Sequence, residues 1–345
     1  MKKEDFLVSI IIPCRNEEGF IKDCLDSILT QDFNKENLEV LVIDGMSDDR
    51  TREIVKNSSR EHPLVKLIDN PEKVTPKGMN LGVKSSKGDV IIFLNSHSTL
   101  DREFLKWTIY YLKNKPEVMA VGGRSITITK GERNISKTIT LVLDSVFGSG
   151  GIRYRQRKKE GFIKDTLPFA AYRRDFFKKV GYMDEDLLRG QDAELNLRIL
   201  KLGGKIYFSP KIKSYLHARS SLKKFLRQQF QYGYFKVKIA QKLGFKSIFR
   251  QVIPSVFVLS LFFSGILALF SKAFLVIFLI ISGFYFLLDL IFSFQLGLKN
   301  GLKYILPAVF VFFVFHFTYG LGFLVGTFHF FLLRKKIKKD IGITR

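Results

Sequence analysis

Four short polar clusters stand at the ends of apolar runs: Pro13-Cys14-Arg15-Asn16-Glu17 after LVSIII, Asp44 to Asp49 after LEVLVI, Asn95-Ser96-His97 after DVIIFL, and Gly190-Gln191-Asp192 ahead of AELNLRIL. Carboxylates that end a strand and open a helix, as Asp44 and Asp48 do, suit ribose hydroxyls and base N–H groups. The plainer alternative is a turn in which Ser47 or Asp48 caps the next helix. His97 is a candidate nitrogen ligand for Mn²⁺ and a less natural one for Mg²⁺, which prefers oxygen; a solvated strand-end histidine is the competing reading. Asp192 stands where a general base could approach a hydroxyl, or where an N-cap would sit. Glu194, two residues on, favours the helix dipole.

The elements that must position these residues follow from periodicity. Strand-like runs at 7–12, 38–43, 65–68 and 90–94 alternate with helical stretches at 18–29 and 49–58, the rhythm of βαβ units and a parallel sheet. In such α/β sheets ligands bind at the carboxyl ends of the strands. Beyond them the pattern predicts a strand at 118–122, a helix at 135–146, a short helix at 175–180 and a helix at 193–202. Separate strand-like stretches surround Ser209-Pro210 and Tyr215-Leu216-His217. Gly148 to Gly151 break the pattern ahead of a basic loop, Arg153 to Lys159, expected to move. Residues 221–243 form an amphipathic helix, interfacial or docked.

Three apolar blocks follow, at 252–270, 273–294 and 305–333. The first two can cross a hydrocarbon core of about 30 Å as a hairpin around Ser271-Lys272. Three simple crossings would carry the basic tail away from a cytosolic front domain, against the positive-inside tendency. Gly320, Gly322 and Gly326 interrupt the third block, so a broken or re-entrant hairpin is expected there. Asp289 and His316 are ionisable groups inside these blocks, with structural roles favoured over functional ones. The division is therefore 1–220 α/β domain, 221–248 amphipathic region, 249–333 membrane region and 334–345 basic tail.

A formal charge of +24 over 345 residues selects anionic partners. Beside apolar spans, an anionic membrane surface is the economical one, and nucleic acid is disfavoured because no recognised binding motif accompanies the charge. Cys14 and Cys24 lack metal-ligand spacing and read as packed thiols. Residues 1–5 lead straight into a strand without a secretory core, so the front domain is expected in the cytosol.

The PCRNE segment, the DGMSDD turn, NSHS, GQDAEL and the run from Arg227-Gln228 to Tyr232-Gly233 together resemble a family 2 glycosyltransferase of GT-A fold, over residues 5 to about 243. The stretch from Thr166-Leu167-Pro168-Phe169 through Arg173-Arg174, with GYMDEDLLRGQDAELNLRI, HARSSL and RQQFQYGYF, is most similar to the succinoglycan type that builds exopolysaccharide repeats.

The resemblance implies a Rossmann-like nucleotide-sugar domain in which Pro13 and Glu17 flank the nucleotide, Asp44 contacts uracil or ribose, and Asp48 lies nearby. It places Asn95 and His97 on the DXD positions, with Mn²⁺ or Mg²⁺ at His97, and Asp192 on the catalytic base. Thr166, Arg173, Arg219, Arg227 and Gln228 are expected on the acceptor or diphosphate. Asn95 departs from the pattern by removing a charge, and Gln228 to Tyr232 departs from QxxRW by lacking both Arg and Trp, which implies one sugar per encounter. The expected activity is inverting transfer from a UDP-sugar to a lipid-linked polyprenyl acceptor by a multi-pass membrane enzyme with a cytoplasmic catalytic domain. A polyprenyl-phosphate glycosyltransferase and a non-catalytic nucleotide-sugar-binding scaffold are the alternatives.

Overall fold

The run VSIIIPC is apolar on both faces, as a strand covered by helices on two sides must be. In the computed structural model, which describes residues 6–128, 134–149, 157–217 and 221–333, it forms β1 (Val8–Cys14), inside a nine-stranded sheet. Ile10 and Ile12 cluster with Ile21, Leu25 and Ile28 of the helix Ile21–Leu29. Ile11, on the opposite face, clusters with Met79 and Val83 of the helix Thr75–Ser85. β2 (Leu38–Asp44), β3 (Val65–Asp69) and β4 (Val90–Phe93) complete a parallel part in the order β3-β2-β1-β4.

The order reverses between β1 and β4, the switch point at which open α/β sheets form a ligand crevice. β4 pairs only with Val8 to Ile11, whereas β2 pairs on to Cys14, so the end of β1 projects past β4. Pro13, with no N–H to donate, lies in that projecting part.

β5 (Ser98–Leu100), β6 (Val118–Ile128), β7 (Gly161–Ile163), β8 (Ala171–Arg173) and β9 (Lys205–His217) extend the sheet. β8 joins β4 to β6, and β5 and β7 pair with β9, all antiparallel. β9 is one strand where two stretches were expected. Pro210 falls between the residues paired with β7 and those paired with β5, so its missing N–H interrupts neither ladder.

The chain divides into two units, Met1–Thr127 with Arg153–His217, and Ile128–Ile152 with Ala218–Arg345. The described residues 134–149, assigned to the first domain by the sequence, thus group with the second. The reason is apolar packing: Ile139 and Val142 of the helix Asn134–Asp144, with Phe147, join Phe312 and Phe315 in one cluster.

Within the second unit, Ile248–Leu267, Lys272–Asn300 and Leu302–Leu332 are long and apolar enough to cross a membrane. The broken hairpin expected at Gly320, Gly322 and Gly326 is absent, because Ile305–Thr327 is one continuous helix. Its glycines admit a neighbour: a Cβ on Gly322 would lie 2.2 Å from the Phe230 carbonyl, and one on Gly233 would lie 2.1 Å from that of Tyr319. The amphipathic helix Leu222–Leu243 is therefore docked against the third apolar helix. Asp289 accepts from the Ser293 hydroxyl at 3.0 Å, and His316 is held between the Tyr285 hydroxyl and the Phe147 carbonyl, each at 2.9 Å. All are structural contacts.

Candidate active site

The loops after β1 and β2 are built from each other. Asn16 adopts a left-handed φ of 55° and donates its backbone N–H to the Ser47 hydroxyl at 2.9 Å. Its side-chain amide donates to Asp48 at 2.6 Å and accepts the Asp48 N–H at 3.1 Å. The Glu17 N–H donates to the Thr51 hydroxyl at 2.7 Å, and the Glu18 N–H to Asp49 at 3.1 Å. Asp49 contributes charge as well. Burial pushes its carboxyl up, but hydrogen bonds from Thr51 and from the Glu18 N–H outweigh this and hold it below the ordinary aspartate value.

Asp44 supports this turn from within. It is fully buried, accepts from the Ser47 hydroxyl at 2.5 Å and its N–H at 3.0 Å, and pairs with Arg52 at 2.6 Å. Arg52 also holds Asp69 at 2.8 Å, and the hydrogen bonds to Asp69 and Asp44 raise its pKa. The exposed carboxylate of the turn is Asp48. Of the two residues that organise the turn, Asn16 lies in the PCRNE segment and Arg52 lies outside every motif, so the sequence marked neither for this role.

Across the switch point, the turn after β4 brings His97 to the β1 loop. His97 Nδ1 lies 3.7 Å from Glu17 Oε1, with Glu17 itself 6 % exposed. Phe20 stands 6.4 Å from the His97 ring and 5.7 Å from that of His217, whose N–H donates to the His97 carbonyl at 3.0 Å. His217, read from the sequence only as part of a strand-like stretch and of HARSSL, thus joins the site. Asn95 is exposed at the same turn, and its carbonyl accepts the Ser98 N–H at 3.0 Å. Among the described residues no three His, Cys, Asp or Glu side chains gather closely enough to hold a metal by themselves.

Asp192 arrives on a helix of defined direction. A Cβ on Gly204, just past the end of Gln191–Lys201, would lie 2.5 Å from Met119 Sδ near the start of β6, so the helix ends at the amino end of the sheet. Its eleven residues span about 16 Å. Gln191 and Asp192 therefore point back towards the carboxyl ends. The N-cap is Gly190, left-handed at φ 76°, which leaves Asp192 in the first turn and removes the capping alternative.

Two pairs fix this helix. Glu194 binds Arg198 at 2.6 Å, and Arg198 donates to the Val180 and Tyr182 carbonyls at 2.6 and 2.9 Å. Asn196 donates to the Leu167 carbonyl at 2.9 Å and accepts from the Tyr172 hydroxyl at 3.1 Å. Burial, with the nearby Asp192 charge, pushes the Tyr172 phenol up, so it stays a donor. Thr166, half-buried beside Leu167, is carried on the tied segment.

The acceptor-side arginines divide differently. Arg173 pairs with Val90, the first residue of β4, at the amino end and away from the crevice. Its guanidinium donates to the backbone carbonyls of Leu112 and Val118 and stacks on Phe6, which makes it a clamp and corrects its expected ligand role. Arg227 and Gln228 lie on the helix Leu222–Leu243 of the second unit, where Gln228 donates to the Tyr232 hydroxyl at 3.4 Å. Arg219 and Arg153 lie outside the described residues, as does the basic tail.

A parallel core widened by antiparallel strands, with a polar crevice at the reversal of strand order, defines a GT-A nucleotide-sugar fold. Among solved structures, a mannosyltransferase of Pyrobaculum calidifontis in complex with GDP-Man and Mn²⁺ superposes with a TM-score of 0.61 at 17% identity, covering 89% of this chain and 87% of that one. GalNAc-T7 with UDP, GalNAc and Mn²⁺ superposes at 0.52 and 16% identity, over 69% of this chain and 48% of that one. The family model Glycosyl transferase family 2 matches residues 9–181, and the chain belongs to that family. It is a glycosyltransferase.

Among curated relatives, the chain is 36% identical to a dolichyl N-acetyl-alpha-D-glucosaminyl phosphate 3-beta-D-2,3-diacetamido-2,3-dideoxy-beta-D-glucuronosyltransferase of Methanococcus voltae, over 66% of this chain and 71% of that protein. It is 28% identical to the succinoglycan biosynthesis protein ExoA of Rhizobium meliloti (strain 1021), over 71% of this chain and 73% of the relative.

Proposed function

We propose that the chain is a membrane-bound inverting glycosyltransferase that moves one sugar from a UDP-sugar to a lipid-linked polyprenyl acceptor. The observation that carries this reading is the meeting of Glu17 and His97 at the switch point, with the Asp192 helix directed to the same end of the sheet. The Methanococcus relative, whose name specifies a dolichyl-linked acceptor, and the three apolar stretches support the lipid acceptor. We place residues 249–333 in the cell membrane and the catalytic unit on its cytoplasmic side.

Asp192 accepts the proton of the acceptor hydroxyl as that oxygen bonds to the anomeric carbon and the nucleoside diphosphate departs from the opposite face, which inverts the centre. Pro13, Glu17 and Asp48, steadied by Asn16 and Asp44, form the nucleotide rim. The Glu17 carboxylate and His97 imidazole, with Asn95 alongside, would hold a divalent cation, and among the described residues they are too few to enclose one by themselves. Bound there, Mn²⁺ or Mg²⁺ would offset charge on the leaving group. Thr166 lines the acceptor side, and Arg219, Arg227 and Gln228 are proposed for the acceptor phosphates.

Membranes containing the full chain, supplied with labelled nucleotide sugars and Mn²⁺, should transfer label into the lipid-extractable fraction. Label found only as free sugar, with native lipid acceptor present, would rule the reading out.

A further inference from the structure

Three lysines of the first unit stand over aromatic rings on neighbouring elements. Lys211 lies 4.0 Å from the Trp107 ring centroid, Lys115 lies 4.6 Å from that of Tyr207, and Lys205 lies 5.5 Å from that of Phe162. Trp107 belongs to the helix Phe104–Asn114 and Lys115 is its C-cap, Tyr207 and the other lysines belong to β9, and Phe162 belongs to β7, which pairs with β9. One face is thus assembled from three segments. Tyr110, 50 % exposed, packs on Trp107 with centroids 5.6 Å apart, and Phe162 is equally exposed. Among the described residues no ion pair ties Lys115, Lys205 or Lys211 to a carboxylate; the carboxylates beside the rings are engaged elsewhere, Glu103 by the Trp107 Nε1–H at 3.2 Å and by Lys106 at 2.7 Å, and Glu160 by the Tyr111 hydroxyl.

We propose that this face lies on anionic lipid headgroups. Ring bodies with ammonium groups above them are the mixture that membrane interfaces select, since the rings tolerate the boundary and the charges meet phosphate. A neutral sugar would need an uncovered ring face to stack on, and three of the rings already carry a lysine. A soluble anionic polymer would need only the charges, and would leave the half-exposed Tyr110 and Phe162 in water. The face lies on Phe104–Asn114, β7 and the first half of β9, away from the Glu17–His97 crevice, so it adds a surface to the catalytic unit and no ligand to the site. The inference rests on the proposed membrane association of the apolar helices.

Trp107 is the only tryptophan in the sequence and reports on its own surroundings. The full chain is reconstituted in nanodiscs of phosphatidylcholine with or without phosphatidylglycerol, each containing a lipid brominated high on its acyl chain. Trp107 emission should be quenched in the anionic discs, much less so in the neutral ones, and the quenching should fade above physiological salt, where charges are screened beyond about 8 Å. The K115Q/K205Q/K211Q variant should regain emission while still transferring sugar. Co-elution with the disc reports the apolar helices separately. A chain held in the disc with Trp107 equally bright in both lipids overturns the docking face alone, as does emission that answers only to a soluble anionic glycan. A chain that never enters the disc overturns the membrane reading as well.

Discussion

In the first unit the loops after β1 and β2 are held by side chains: Asn16 reaches Ser47 and Asp48, Thr51 receives the Glu17 N–H, and Arg52 spans Asp44 and Asp69. In the second unit the helices Leu222–Leu243 and Ile305–Thr327 meet where side chains are missing, at Gly233, Gly322 and Gly326. The difference follows from what each region faces. A loop that presents polar groups to a ligand can be ordered by charged hydrogen bonds. Apolar helices gain little from hydrophobic burial in lipid and need close backbone approach for dispersion contact. Substitutions should therefore damage the first unit by removing groups and the second by adding them.

The largest expected effect is on Asp192. Asp192→Asn should lower kcat by about 10² to 10⁴, the usual worth of a general base, while donor affinity measured by calorimetry stays unchanged. Unaltered turnover would remove Asp192 from the chemistry. Next is Gly322→Leu, which places atoms against the Phe230 carbonyl; overpacking of this kind costs about 1–3 kcal/mol or more, read as a lower unfolding temperature in detergent. Gly283→Ala is the control, since no atom lies within 4 Å of its Cβ position, and equal damage at both sites would break the comparison.

Arg173→Ala should cost about 1–3 kcal/mol, because buried carbonyls lose their donor, and should leave the acceptor KM unchanged. A raised KM with unchanged stability would return Arg173 to the acceptor site. The smallest effect concerns acid stability. The Asp49 carboxyl is held below its unfolded value of about 3.9, so its contribution is complete above that pH and disappears as pH falls through the folded value. Melting curves of wild type and Asp49→Asn should differ near neutrality and converge in acid.

The centre of the parallel half was legible because β1, β2 and β4 are buried on both faces and end in abrupt polar clusters. Glu17 and His97 were readable as site residues from their motifs, but their contact was not, since it depends on β1 outrunning β4. Asp44 and Arg173 show the converse: a carboxylate and a guanidinium in motif positions look alike on paper whether they face a ligand or bond the backbone. The glycines at 320, 322 and 326 read as interruptions because a helix partner distant in sequence leaves no local trace. His217 needed the β5–β9 pairing before it could be connected with His97.

A single displacement at the switch-point crevice inverts the anomeric centre, so the configuration of the product tests it most directly. A donor of defined configuration is turned over by the full chain with native lipid acceptor, and the lipid-linked sugar is read by proton NMR coupling. Inversion is the predicted result, and retention would contradict Asp192 as a base acting in one step.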